Sequence, residues 1–268
     1  MLGLPDGVTA CLFDMDGVVT KTAVVLGLPD QITACLFDMD GVITQTAKVH
    51  DAAWKEMFDE FLQDWSKEHN EKFVPFDPVR DYDEYVDGKP RLQGTSSFLE
   101  SRGIKLPEGE ESDTPGTQTL CGLGNKKNEL FTVVLKRDGV QAYEGSVRYV
   151  EAVRVAGLHT AIVSSSANTV AVLEAAGVAG LFEVRVDHQV AEEHKLQGKP
   201  APDTFLEAAK MLGVPAANAV VYEDALAGVA AGKAGHFGFV VGVDRVGQAD
   251  QLHAHGADVV VKDLAELL

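Results

Sequence analysis

Cations are scarce in this chain: 23 Lys and Arg stand against 41 Asp and Glu over 268 residues, a formal net charge of -18. Such a surface repels nucleic-acid phosphates and anionic lipid, and no basic stripe with interleaved aromatics offsets it, so neither nucleic acid nor a membrane is expected as a partner. Long apolar runs are also missing. No stretch approaches the ~20 apolar residues of a membrane-spanning helix, and the N-terminus lacks the basic start and apolar run of a signal peptide, which leads us to expect a cytoplasmic protein. Cysteine is rare. Cys11, Cys35 and Cys121 are odd in number and have no metal-ligand spacing; two sit in apolar strand-like runs, so they read as core thiols in a reducing compartment. An acidic protein that handles an anionic substrate must gather its few cations at the site, usually with a metal, which makes single Lys and Arg residues informative.

The 46% of hydrophobic residues is enough for a sizeable core. Residues 2–25 recur as residues 26–49, with 19 of 24 positions identical. Two copies are too few for a solenoid, so a local duplication is the simpler account. A helical pattern runs from about Ala47 to Asn70, shorter ones lie near Phe98 and Leu130, and the Pro, Gly and acidic content of LPEGEESDTPGTQTLCGLG (106–124) predicts a mobile loop. From Gly145 onward short apolar runs alternate with amphipathic helices: strands at TAIVS, AVVYED, FGFVVGV and ADVVV, helices at SVRYVEAVRVAG and NTVAVLEAAG. The alternation predicts an α/β fold with a parallel sheet covered on both faces, whose sites lie at the carboxyl ends of the strands.

Polar residues at those ends carry the chemistry. The strand ITACLF ends in Asp38-Met39-Asp40-Gly41, offering one carboxylate to attack phosphorus and a second to move a proton. TAIV ends in Ser164-Ser165-Ser166, hydroxyls that either donate to phosphoryl oxygens or cap the next helix. Lys199 precedes a helix and either neutralises phosphoryl charge or is a solvated loop lysine. AVVY ends in Glu223-Asp224, an acidic pair suited to a hard cation with oxygen ligands. Around GVAAGKAG (228–235), Ala227 stands where a phosphate-binding loop needs its first Gly and Ala234 where it needs Ser or Thr, so the stretch reads as helix; His253 and His255 read as solvent-facing.

In that order, these four motifs resemble the haloacid dehalogenase superfamily over residues 26–268. The resemblance implies a Rossmann-like parallel sheet core (26–46 and 140–268) with an inserted α-helical cap (47–139), residues 1–25 being a duplicated segment. It implies Asp38 as nucleophile, Asp40 as general acid/base, Ser164 and Lys199 as phosphoryl holders, and Mg²⁺ held by Asp38, Glu223, Asp224 and the Asp40 backbone carbonyl. More narrowly, DMDGVITQTAKVHDAAWK looks like the β-phosphoglucomutase group, with Thr46, His50 and Trp54 at matching offsets. Gly88 and Arg91 resemble its cap motif for a second phosphate, and Lys127-Asn128 a further cap pair. Ser165, Ser166 and Asn168 complete the implied substrate contacts. Gln45 and Ala167 depart from the group, which often has Asp and Lys there, and the cap is longer by FVPFDPVRDYDEY. The implied partner is a sugar phosphate, with a sugar bisphosphate if the reaction is a mutase; a phosphatase is the alternative and a non-catalytic binding protein the remote one. A monomer is expected. His50 and Trp54 follow only the second copy of the repeat, so Asp38 and Asp40, rather than Asp14 and Asp16, are expected to build the site, with cap hinges near Thr46 and Val140.

Overall fold

The computed structural model describes residues 26–268 apart from 87, 88 and 90. The first repeat copy, with Cys11, Asp14 and Asp16, and the expected site residue Gly88 lie outside the described residues. Strand β1 (Ala34–Asp38) leads into α1 (Ala47–His69), α2 (Arg80–Tyr85), α3 (Arg91–Ser101) and α4 (Leu120–Asp138). Helix α5 (Glu144–Val155) returns the chain to the sheet. There follow β2 (His159–Val163), α6 (Thr169–Ala175), β3 (Val184–Val186), α7 (His188–Glu193), α8 (Asp203–Met211), β4 (Ala219–Glu223), α9 (Leu226–Ala234), β5 (Phe239–Val243), α10 (Ala249–His255) and β6 (Val259–Val261).

The six strands form one parallel sheet in the order β3-β2-β1-β4-β5-β6. Each residue of β1 is buried, because side chains alternate between two covered faces. Ala34 and Leu36 pack with Phe205 and Ala208 of α8. Cys35 and Phe37 join the opposite core, where Phe37 stacks on Tyr222 at 4.4 Å and the Tyr149 and Tyr222 hydroxyls share a 2.7 Å hydrogen bond. Burial on that scale contributes about 1.5–3 kcal/mol per large apolar side chain. The chain builds outward from β1 through β2 and β3, then crosses back to place β4 on its other side. That reversal opens a crevice between the carboxyl ends of β1, β2 and β4.

Helices α1 and α4 pack against each other, with Phe58 at the centre of an aromatic cluster: Phe98 at 4.2 Å, Phe76 at 5.1 Å and Trp54 at 5.3 Å. The sequence FVPFDPVRDYDEY supplies Phe76, and its Asp81 is clasped by Arg102 at 2.7 Å and Arg80 at 3.2 Å. Asn70 takes the left-handed conformation that ends α1. Among the described residues no helix is long and apolar enough to cross a membrane.

Two expectations need correction. The acidic segment before α4 is held by specific bonds: Asp113 accepts from Thr119 Oγ1 at 2.6 Å, Thr119 Oγ1 caps α4 by accepting from Gly122 N at 2.9 Å, and Asn125 Nδ2 donates to the Glu111 and Asp113 carbonyls at 2.9 Å. Its Pro and Gly residues set turns, and its last five residues, 120–124, are helical. Strand β3 was not expected, because three residues on a sheet edge carry too little pattern; its exposed Arg185 instead pairs with Asp187 at 2.7 Å.

Candidate active site

The two chain crossings between sheet and helices run side by side. Gln45 N donates to Gln141 O at 2.8 Å, Tyr143 N donates to Ile43 O at 2.9 Å, and Thr44 bridges Ala142. Beneath them the turn after β1 is tightly wound: Ile43 and Thr44 amides both donate to Met39 O, and Gly41 N donates to Thr44 O. Gly41 has φ +79°, and a Cβ there would stand 1.8 Å from Asp224 Oδ2. Only glycine allows that backbone shape and lets the two acidic turns touch.

Four carboxylates and one ammonium converge on the crevice. Lys199 Nζ, its side chain 12% exposed, donates to Asp38 Oδ1 and, at 2.6 Å, to Glu223 Oε1. Glu223 Oε2 accepts from Ala225 N at 2.7 Å, so both its oxygens are engaged and it serves chiefly to hold Lys199. Asp40 turns away from this group: Oδ1 accepts from Thr46 Oγ1 and Oδ2 from Ser164 Oγ at 3.5 Å. Asp38 and Asp40 thus diverge from one turn into separate surroundings, an arrangement that lets two carboxylates take different chemical roles.

Burial is the largest cause pushing the Asp38 carboxyl well up, opposed by Lys199 and reinforced by Glu223 and Asp40. Asp224 is pushed up by burial and then by Glu223, Asp38 and Asp40. Lys199 is held charged: the two carboxylates outweigh its burial. Negative charge therefore exceeds positive in a dry place. Ligand oxygens of Asp38, Glu223 and Asp224 lie within 4.8 Å of one another, an all-oxygen donor set that suits a hard divalent cation and would be relieved by one. The residues present fit such an ion, with Asp38 and Asp224 the freer donors.

On the helical side, Lys127 Nζ approaches His50 Nδ1 at 2.7 Å and lies 5.0 Å over the Trp54 ring and 5.1 Å over that of Phe131. Burial, then repulsion from Arg91, lowers the Lys127 ammonium to about 7, against a pull from Asp40. His50 is driven well below its ordinary value by burial and then by Lys127. Trp54 is 4% exposed; it forms the wall under Lys127 and lies within the aromatic cluster. Arg91 starts α3 beside Gly124 of α4, where a Cβ would stand 3.4 Å from its Nε. Among the described residues it forms no close ion pair; burial lowers its guanidinium, and Cys121 and Glu111 pull the other way.

The turn after β2 faces this helical side. Ser164 Oγ accepts from Ser166 N at 3.1 Å, Ser166 Oγ accepts from Asn168 N at 3.1 Å, and Asn168 Nδ2 crosses to donate to Asn128 Oδ1 at 2.9 Å. The Ser164 and Ser166 hydroxyls thus make turn-forming bonds, and Ser164 also contacts Asp40; the helix that follows has Asn168 at its N-cap and no side-chain cap bond, so capping does not occupy them. Ser165 is exposed at the tip, as is Ala167. Arg245 and Gln248 were missed by the sequence reading. Arg245 Nε donates to Gly41 O at 2.6 Å and Gln248 Nε2 to Asp224 O at 3.1 Å. Their signal was available, since both follow the carboxyl end of β5.

A family model for haloacid dehalogenase-like hydrolases matches residues 32–236, beginning within the second repeat copy. The Beta-phosphoglucomutase of Mycobacterium bovis is 55% identical over 271 residues, covering 100% of this chain and 94% of that one. The Beta-phosphoglucomutase of Bacillus subtilis is 30% identical over 258 residues, covering 96% of this chain and 91% of that one. The crystal structure of beta-phosphoglucomutase from Clostridium difficile superposes with a TM-score of 0.68 at 25% identity, covering 88% of this chain and 93% of that one. With the parallel sheet, the reversal beside β1 and the acidic turns in place, these matches make the chain a member of the haloacid dehalogenase-like hydrolase family.

Proposed function

We propose that the protein is a cytoplasmic, monomeric β-phosphoglucomutase that converts β-glucose 1-phosphate to glucose 6-phosphate through an aspartyl-phosphate on Asp38. The core would comprise residues 26–46 and 140–268 and the cap 47–139. The observation that carries this reading is a second set of cations, Lys127 and the neighbouring Arg91, on the helical side and apart from Lys199, which stands beside Asp38. A phosphatase binds one phosphate, whereas a mutase passing through a bisphosphate must hold two at once. The names of the mycobacterial and Bacillus relatives support the same reading.

In the first half-reaction the phosphorylated Asp38 gives its phosphoryl group to the 6-hydroxyl of β-glucose 1-phosphate, and Asp40 takes the hydroxyl proton. The bisphosphate turns over. Asp38 then attacks the 1-phosphoryl group, the bond from phosphorus to the sugar oxygen breaks, and Asp40 returns its proton to that oxygen. Burial raises the Asp40 carboxyl, against hydrogen bonds from Thr46 and Ser164 and the charges of Lys199 and Lys127, which keeps a proton available to a poor leaving group. Lys199 and Ser164 offset charge on the equatorial oxygens. Mg²⁺, held by Asp38, Asp224 and the Asp40 carbonyl with Glu223 behind, would supply further neutralisation of phosphoryl charge. His50 and Trp54 orient Lys127; Asn128, Asn168, Ser165 and Ser166 border the sugar, and Gly88 lies in the segment leading to Arg91.

The test is phosphorus NMR of the purified protein with Mg²⁺, β-glucose 1-phosphate and a trace of glucose 1,6-bisphosphate. Glucose 6-phosphate is expected; inorganic phosphate alone would transfer the protein to the phosphatases, a reading favoured by the missing lysine at Ala167.

Two predictions arise from the helical side. Replacing Arg91 with Ala should cut mutase flux by roughly 100-fold, the cost of losing a charge-assisted phosphate clamp, while aspartyl-phosphate formation from acetyl phosphate stays within about 2-fold. Stopped-flow phosphorylation and steady-state flux, measured on the same variant, check it. Lys127 is charged only below about 7, so kcat/KM, which reports the free enzyme, should fall as pH rises through that value. Lys127→Arg, always charged, should lose this alkaline limb in a pH–rate profile.

A further inference from the structure

We infer that Arg245 is a positioning residue that fixes the turn carrying Asp40 and ties it to the returning crossing from the helices; the inference rests on the assignment of Asp40 as proton carrier. Arg245 follows β5 and contacts no part of the carboxylate cluster itself. Its guanidinium donates from Nε to Gly41 O at 2.6 Å, from Nη2 to Val42 O at 3.5 Å and from Nη1 to Lys262 O at 2.7 Å. Its flat face lies 3.6 Å from the centroid of the Tyr143 ring, and Asp263 Oδ2 stands 3.8 Å from Nη1. The side chain is only 16% exposed. A planar fork with five donors can hold several carbonyls and stack at once, which an ammonium cannot.

The carbonyls it holds are the ones the fold leaves over. Gly41 and Val42 belong to a turn wound so tightly that their carbonyls have no place in the sheet ladder; Val42 O takes a second bond from Ser146 Oγ at 2.7 Å. Gly41 also lies close against the Asp224 carboxylate, since a Cβ added there would stand 1.8 Å from Asp224 Oδ2. The loop bearing Arg245 is itself stiffened: Asp244 Oδ1 accepts from the Gly247 and Gln248 amides at 2.7 and 2.8 Å, and Gln248 Nε2 reaches the Asp224 carbonyl. One loop thus braces both acidic turns from behind. Tyr143 N in turn donates to Ile43 O, so the stacked ring carries the same constraint into the crossing.

Loss of the fork should loosen proton transfer more than nucleophilic attack, because a misplacement of ~1 Å costs on the order of 100-fold at a group that must meet a proton in line. Arg245→Ala should lower kcat for the sugar phosphate by about 30-fold with KM changed less than about 3-fold, while phosphorylation of Asp38 by acetyl phosphate, whose leaving group needs no proton, falls less than about 3-fold. Guanidinium ion at sub-denaturing concentration should restore part of the sugar-phosphate rate, and Arg245→Lys should lie between. Equal losses with both donors, or a loss of KM alone, would overturn the inference. Amide hydrogen exchange gives a readout independent of turnover: the Gly41, Ile43 and Thr44 amides should exchange faster in Arg245→Ala, and in the milder Arg245→Lys should the first fail to fold, while the β1 amides hold. Unchanged exchange at the turn would refute the brace. A wild-type protein inert toward both donors would refute the proposed reaction instead, leaving the exchange result to judge Arg245.

Discussion

Asp38→Asn should abolish phosphoryl transfer and, in the same protein, raise its stability in the absence of divalent cations. Turnover is expected to fall by on the order of 10,000-fold or more, the scale seen when one member of a tightly coupled catalytic group is removed, because an amide oxygen cannot form the acyl-phosphate. The gain in stability follows from the raised Asp38 carboxyl. A carboxyl whose folded pKa lies above its unfolded value binds more protons in the native state, so its charged form opposes folding above that range, and stability grows as pH falls through it. An uncharged isostere removes the penalty, by on the order of 1 kcal/mol, the usual size of gains made by relaxing an active site. Thermal melts without metal at pH 7 and pH 5 check both parts: the variant should melt higher at pH 7, with a smaller difference between the two pH values. Asp14→Asn should leave turnover unchanged. The opposite pattern would place the working nucleophile in the first repeat copy.

Lys199→Ala should do the reverse, losing stability and activity together. Its ammonium bridges Asp38 and Glu223, and without it the cluster keeps four carboxylates and no cation of its own. Removing one partner of a buried ion pair costs about 3–5 kcal/mol, and the 12% exposure of this side chain leaves little water to soften that. The sign with pH is also fixed. The Lys199 ammonium is raised above its ordinary value, so its contribution is fully present below ~10.4 and is lost only as pH rises through the folded pKa; wild-type stability should show no alkaline loss from this group up to pH 9. Denaturant unfolding of wild type and variant, with and without Mg²⁺, measures the difference. Added Mg²⁺ should recover part of the stability but little of the rate, because the ion offsets the charge while Glu223 and Asp38 lose the donor that aligns them. A variant as stable as wild type would mean that the cluster is neutralised by protons rather than by Lys199.

Much of this was legible in the chain itself. Strands β1, β2, β4 and β5 are largely apolar runs that suit a sheet buried on both faces, and β1, β2 and β4 end in, or lead directly into, polar residues of the candidate site. Asp38, Asp40, Ser164, Glu223 and Asp224 were candidates because strand ends in a parallel sheet are places where backbone pattern and chemistry coincide, whereas Lys199, in the loop before α8, was a candidate only through its place in the order of motifs. The limits of α1 followed from its apolar spacing; the left-handed Asn70 that ends it was seen only in the structure. The acidic segment before α4 was misjudged because composition records turn-forming residues but not which oxygen each will bond; Asp113, Thr119 and Asn125 meet only after the chain has folded back.

By itself the sequence determined the class of fold, the order along the chain of every described strand but β3, and the kinds of group at the ends of those strands, since these depend on local periodicity and residue chemistry. Tertiary structure alone decided which groups meet. Lys199 lies 161 residues from Asp38 along the chain, Lys127 lies 77 from His50, and Arg245 lies 204 from Gly41. No local pattern encodes such pairs. The Lys199 and Arg245 pairs arise because β1 lies between β2 and β4, which draws distant strand ends to one crevice, and the Lys127 pair because α1 packs on α4; burial then makes charges that would be independent in water depend strongly on one another.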